Sequence, residues 1–105
     1  MTNQSDSIIL IGPMGSGKTS TGRILAKKIG FDFLDTDEEV VERTGVSIAY
    51  IFDVEGETGF RQREHQALKK FIDDDNVVIA TGGGIVVHDE SRAIIQSHKT
   101  VVYLK

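Results

Sequence analysis

The sequence predicts an α/β fold in three layers, a mostly parallel sheet with helices on both faces. Three observations predict it. Short apolar runs such as Ile8-Ile9-Leu10-Ile11 and Val77-Val78-Ile79-Ala80 are too brief for helices and apolar on both faces, as strands of a buried parallel sheet are. Stretches with helical spacing separate them, and alternation of the two types is the α/β pattern. A glycine-rich turn stands between the first strand and the first helix, where such folds bind ligands. At 105 residues the chain, 1–105, is one domain.

The elements follow in order. Ser7 to Ile11 is the first strand, broken by Gly12 to Gly17. Thr19 to Ile29 is a helix with Ile24, Leu25, Lys28 and Ile29 at helical spacing, and Gly30 stops it. Phe31 to Leu34 is a second strand. Asp37 is placed to cap a helix through Val40, Val41 and Arg43, closed by Gly45. Ser47 is placed to cap a further turn through Ile48, Ile51 and Phe52. Glu57 to Ile72 is the longest helix, with Phe60, Ala67, Leu68, Phe71 and Ile72 on one face. Asp73 to Asn76 ends it. Val77 to Ala80 is the third strand, Gly82-Gly83-Gly84 a loop, Ser91 to Ser97 a short helix and Thr100 to Leu104 a fourth strand.

Composition excludes several functions. The chain has 12 Lys+Arg against 16 Asp+Glu, a formal charge of −4, and no basic run, which argues against nucleic acid and anionic membranes. No apolar stretch approaches the ~18 residues of a membrane span. Met1 to Asp6 lacks the order of a signal peptide. With no cysteine there is no disulfide, thiolate metal site or Cys nucleophile. A cytoplasmic monomer is the expectation.

Gly12-Pro13-Met14-Gly15-Ser16-Gly17-Lys18-Thr19 is G-x-x-x-x-G-K-[ST] between a strand and a helix, the P-loop pattern. Its glycines let successive N–H groups turn toward phosphate oxygens, and the helix aims its positive end at the same anion. Lys18 suits the β- and γ-phosphates, and the Thr19 hydroxyl suits Mg²⁺. The partial G-x-G-x-x-G here is broken by Ser20, so a dinucleotide site is the weaker reading.

Asp35 and Asp37 follow the second strand. In strand geometry residues two apart share a side, so both can face the cradle. Phosphoryl transfer uses one carboxylate near Mg²⁺ and one to orient the attacking hydroxyl. The competing reading of Asp37 is a helix cap. Arg61 stands four residues after Glu57 and three before Glu64, neighbours on a helix surface. An exposed ion-pair face explains this, and from the motif alone it is the simpler account. The alternative is an arginine held to fork onto a carboxylate. Three successive glycines, Gly82 to Gly84, at the end of a strand suit a ligand pressed against the backbone, or a flexible loop.

Taken together, Gly12 to Thr19, Phe33-Leu34-Asp35-Thr36-Asp37, Gly56-Glu57-Thr58-Gly59-Phe60-Arg61-Gln62-Arg63-Glu64 and Ala80-Thr81-Gly82-Gly83-Gly84 resemble the shikimate kinases across almost the whole chain. The resemblance implies ATP- and Mg²⁺-dependent phosphorylation of the shikimate 3-hydroxyl, on the route to chorismate and the aromatic amino acids. By likeness, Gly12, Gly15, Ser16, Gly17, Lys18, Thr19 and Ser20 would hold the ATP phosphates. Thr19 would ligate Mg²⁺, with Asp35 beside it through water. Asp37 would be the base or orienter, with Lys18 the second catalytic group. Arg61 would bind the shikimate carboxylate, and Gly82, Gly83 and Gly84 would contact the ring hydroxyls. The family's chains continue beyond the equivalent of Lys105 through a lid, a second arginine and a fifth strand. The P-loop α/β/α architecture is therefore expected to be incomplete on its C-terminal side, and the sequence leaves open a piece of a longer protein or a lost lid. Two other functions stay in view: a nucleotide- or phosphate-binding module without turnover, supported by the absent lid, and a kinase for another small hydroxy acid such as gluconate.

Overall fold

Strand β1 (Ile8–Ile11) and strand β3 (Val77–Ala80) have no wet face, and they form the centre of a single four-stranded sheet. In this computed structural model, which describes residues 7–13, 17–74, 76–82, 85, 89–98 and 100–104, the strand order is β2-β3-β1-β4. Strand β2 (Asp32–Asp35) and strand β4 (Val101–Tyr103) are the edges, and every pairing is parallel. Alternation along the strands divides the core between two faces. Ile9, Val77 and Ile79 pack with Leu68, Phe71, Ile85 and Ile95 on one side. Leu10 and Val78 pack with Ala26 on the other. Helix α1 (Lys18–Ile29) thus covers one face, while α3 (Ile48–Ile72) and α4 (Asp89–Ser97) cover the opposite one, giving the three layers expected.

The apolar face read into α1 differs from the one it buries. Ile24 and Ile29 are exposed, and the buried positions are Lys18, Gly22 and Ala26. The cause is close approach: a Cβ on Gly22 would stand 2.5 Å from Phe33 Cε1 and 3.0 Å from Leu10 Cδ1. Small residues face the sheet so that Phe33 can fill the space between, and the larger side chains turn outward. Strand β2 also runs one residue later than expected, because the ladder to β3 extends from Asp32 opposite Val77 to Asp35 opposite Ala80.

Helix α2 (Thr36–Thr44) begins directly after β2, capped by Asp35 and not by Asp37. Its partner is the N-terminal part of α3, whose first turn is capped by the Ser47 hydroxyl accepting from the Tyr50 N–H at 3.1 Å. The two helical segments read on either side of Gly56 run as one element bent there, where Gly56 takes φ 75° and ψ 179°, a left-handed conformation glycine adopts without steric cost. Arg63 spans the bend with two hydrogen bonds to Glu55, at 2.9 and 2.7 Å. Val40, Ile51, Phe60 and Ala67 form a small separate core between α2 and α3. Helix α4 starts at Asp89, two residues before the expected Ser91; Ser91 is buried, its hydroxyl 3.0 Å from His65 Nδ1 of α3.

Candidate active site

Adjacent strands β1 and β3 send their chains to opposite faces of the sheet, α1 to one and α4 to the other. Such a reversal opens a crevice beyond their carboxyl ends. Thr81 closes its floor, its N–H and its hydroxyl both donating to the Leu10 carbonyl at 3.2 and 2.8 Å. Gly12 and Gly82 stand on either side.

On the β1 side, Gly17 takes φ 86° and starts α1 with no side-chain cap, so the helix begins on bare backbone, as anion-binding helices do. Lys18 is 8 % exposed, and its Nζ donates to the carbonyls of Gly12 and Pro13 at 2.6 and 2.9 Å. The loop's own carbonyls thus hold this side chain at the mouth of the crevice. Ser20 follows on the exposed side of the first turn. Gly15 and Ser16 lie outside the described residues.

Asp35 joins the two strands' loops. One oxygen, Oδ1, accepts from the N–H groups of Asp37 and Glu38 at 2.9 and 3.1 Å, and Oδ2 accepts from Thr19 Oγ1 at 3.0 Å. The expectation that Asp35 and Asp37 share a strand face is therefore replaced by another geometry. The helix begins at Thr36, so Asp35 is the cap and Asp37 stands in the first turn, freed from capping. Thr36, fully buried, accepts from the Gly82 N–H at 3.3 Å and binds this turn to the glycine loop.

Asp37 faces inward. Burial pushes its carboxyl above the usual range, as does the neighbouring Asp35 charge. Contact with Glu64 and the charges of Arg61 and Lys18 work against that rise. Beside it a cavity of about 440 Å³ is lined by Asp37, Glu38, Val41, Glu42 and Ile48. Arg61 is largely buried. Its NH1 bonds Glu64 Oε1 at 2.9 Å and its Nε lies 3.5 Å from Glu57 Oε2, so both acidic neighbours read from the spacing are engaged. The 3.5 Å separation is too long for a good hydrogen bond, and Nε is buried without a hydrogen-bond partner among the described residues. Arg61 is thus not the solvated ion-pair face the motif alone favoured.

Glu64 is the residue whose place sequence reasoning missed. In sequence it is a neighbour of Arg61 and no more, yet it is 0 % exposed, and its carboxyl is pushed up to about 7, chiefly by burial and further by Asp37. The signal was present: Glu64 falls on the helix face of Phe60, Ala67, Leu68 and Phe71, where a carboxylate is out of place unless partnered. Gly82 explains how the two acids meet. A Cβ there would overlap Glu64 Oε2 and stand 2.7 Å from Asp37 Oδ1. Gly83 and Gly84 lie outside the described residues.

The arrangement has a positive end at Lys18 and the α1 terminus, a pair of hard oxygen donors at Thr19 and Asp35, and a buried acid cluster backed by Arg61. Hard oxygens with few protein ligands suit Mg²⁺, which completes its shell from water and phosphate. No group of three or more His, Cys, Asp or Glu side chains among the described residues offers a closed metal cage instead. No helix among them is long and apolar enough to cross a membrane.

Residues 14–105 match the family model described as shikimate kinase. The shikimate kinase of Nitrosomonas europaea is 52 % identical over 98 residues, covering 93 % of this chain and 46 % of the relative. That of Legionella pneumophila strain Corby is 48 % identical over 99 residues, covering 94 % of this chain and 57 % of its own. Among solved structures, shikimate kinase from Acinetobacter baumannii in complex with shikimate superposes with a TM-score of 0.91 at 43 % identity, covering 97 % of this chain and 57 % of that one. The enzyme from Aquifex aeolicus gives a TM-score of 0.87 at 41 % identity, over 94 % and 59 %. The chain spans about half the length of the curated relatives it matches.

Proposed function

The chain belongs to the shikimate kinase family, and from that premise we propose that residues 1–105 supply the nucleotide cradle and acceptor carboxyl cluster of a kinase domain that transfers the γ-phosphoryl group of ATP to the 3-hydroxyl of shikimate. Shikimate 3-phosphate and ADP are the products, and the setting is aromatic amino acid biosynthesis in the cytoplasm. One observation carries the reading. Asp37 is half-buried, within the electrostatic reach of both Lys18, from the phosphate loop, and Arg61, from the opposite helix. A base that lies between a cation for phosphate and a cation for carboxylate is what a phosphorylated hydroxy acid requires.

The roles follow from the groups. Lys18 and the first turn of α1, with Gly12, Gly17 and Ser20, take the phosphate oxygens. Asp37 accepts the proton of the attacking hydroxyl, and its raised proton affinity strengthens it as a base. Arg61, its NH1 held by Glu64 Oε1, supplies the guanidinium charge for the acceptor carboxylate. Gly82 keeps the wall thin where the acceptor ring lies. Thr19 would hold Mg²⁺ directly and Asp35 through water; bound there, the ion would neutralise charge on the β- and γ-phosphates.

The test adds ATP·Mg²⁺ and shikimate to the chain and follows phosphorus NMR for ADP and a new phosphate ester. Ester formation that needs both substrates, and that is lost when gluconate replaces shikimate, is the expected result. ATP-dependent thermal stabilisation without turnover would select the binding module, and turnover on gluconate would select the other acceptor.

A further inference from the structure

We propose that the groove between the C-terminal half of α2 and the bent α3 binds a small organic monoanion, a carboxylate carried on a ring-sized apolar body. The site stands apart from the phosphate loop and the acid cluster, and nothing in it depends on phosphoryl transfer.

Shape comes first. Two hollows of about 260 and 290 Å³ adjoin here, with Arg43, Thr44 and Arg63 as shared walls. A cavity of about 150 Å³ holds benzene, so either hollow has room for a ring and a substituent. Val40 lines one hollow and Ile51 the other, and both are buried members of the small core between α2 and α3. Tyr50 and Val54, one helical turn apart, are exposed and line the second hollow. An exposed aromatic ring beside an apolar floor suits a flat apolar ligand. Neither hollow shares a residue with the cavity beside Asp37.

The bend at Gly56 shapes the groove, because it brings Arg63, beyond the bend, against Glu55, before it. Glu55 takes the Nε and NH2 donors of Arg63 at 2.9 and 2.7 Å, which offsets its charge and fixes its plane. The other pair at this end of α2 is Glu39 with Lys70, at 3.0 Å. Glu39 also approaches Arg43 Nε, but at 3.8 Å, too long for a hydrogen bond. Arg43 therefore carries the uncancelled positive charge of the groove, its donors unspent among the described residues. One net charge matches a monoanion, whereas a dianion would meet Glu55 without a second open cation. A planar carboxylate fits a guanidinium with two parallel hydrogen bonds, and the apolar floor takes the rest of the molecule.

Such a ligand covers the outer side of Val40 and Ile51 and ties α2 to both parts of α3. Because the groove exists only in the folded chain, occupancy stabilises the folded state by mass action.

The experiment is a ¹H–¹⁵N NMR titration of the full chain with sodium 3-phenylpropionate at neutral pH and constant ionic strength, without nucleotide or acceptor. Saturable shifts are expected at the amides of Arg43, Thr44, Val46, Tyr50, Val54 and Arg63, with a Kd of about 1 mM for a ligand of this size. The neutral analogue 3-phenylpropionamide should bind about tenfold more weakly, and Arg43→Gln should weaken the acid by a similar factor, since each removes one charged partner. Propionate, which lacks the ring, should give no saturable shift. The acid and amide compared on the wild-type chain decide even if Arg43→Gln fails to fold. Shifts confined to Asp37, Arg61 and Gly82 would overturn the proposal, because the carboxylate would then be held by the acid cluster's arginine. So would an amide that binds as tightly as the acid, or a groove that stays silent at about twenty times the expected Kd.

Discussion

Replacing Gly82 by alanine tests whether the acid cluster is as tightly closed as its oxygens imply. Gly82 is not among the glycines with positive φ, so its backbone accepts a side chain. Removing glycine from the unfolded ensemble favours folding by about 0.4–1 kcal/mol. Against this stands the new methyl, which would overlap Glu64 Oε2 and lie 2.7 Å from Asp37 Oδ1. Overpacking of this kind costs about 1–3 kcal/mol. Glu64 cannot swing away freely, because its other oxygen holds Arg61 at 2.9 Å, and a hydrogen bond to a charged group contributes about 1.5–3 kcal/mol. The clash wins, with a net loss of about 1–2 kcal/mol and a Tm lower by about 4–16 °C for a domain of this size. A double-mutant cycle isolates the cause. In a Glu64→Ala background the nearer obstruction is gone and Asp37 Oδ1, at 2.7 Å, remains, so Gly82→Ala should cost less than in the wild type and the two changes should couple. Equal cost in both backgrounds, measured by urea unfolding, would refute the reasoning, as would an unchanged Tm in the single variant.

Lys18→Ala should abolish stabilisation of the chain by ATP·Mg²⁺ in a thermal-shift assay, because it removes the buried ammonium at the mouth of the phosphate loop; an undiminished shift would contradict its role. Arg61→Lys should weaken shikimate more than ATP in calorimetric titrations, since the ammonium keeps the charge and loses the fork; equal acceptor affinity would place the carboxylate elsewhere. The Glu64 carboxyl, raised in the folded chain from 4.5 to about 7, makes the folded state bind more protons than the unfolded one between those values. Stability from this group is present below pH 4.5 and is lost as pH rises through 7. Wild-type stability minus that of Glu64→Gln should therefore fall across pH 5–7 in chemical denaturation, and a difference that rises with pH would reverse the assignment.

The layers of the fold were legible because buried strands are apolar on both faces: β1 and β3 announce themselves, and the phosphate loop is one contiguous motif. The helix faces were less so. In α1 the sheet selects Gly22 and Ala26 over Ile24 and Ile29 for closeness, a fact held in the shape of Phe33 and not in periodicity. Asp35 and Asp37 were recognised as a pair, but their division into cap and inward acid depends on where β2 stops, and the β3 ladder sets that. Glu64 was hidden by its proximity to Arg61 in sequence. Its more telling contact is with Asp37, 27 positions away, brought to it by the packing of α2 on α3.

The small core of Val40, Ile51, Phe60 and Ala67 stands apart from the two cores that clasp the sheet. Helix α2 and the first part of α3 lean on it, hinged at Gly56 and braced by Glu55 with Arg63. A satellite of this kind opens at lower free energy than the whole domain. Amide hydrogens from Val40 to Val54 should therefore exchange with deuterium sooner than those of β1 and β3. The chain would then hold its two halves at different thermodynamic depth, with β1 in the slower layer and the wall that carries Asp37 in a unit that opens sooner.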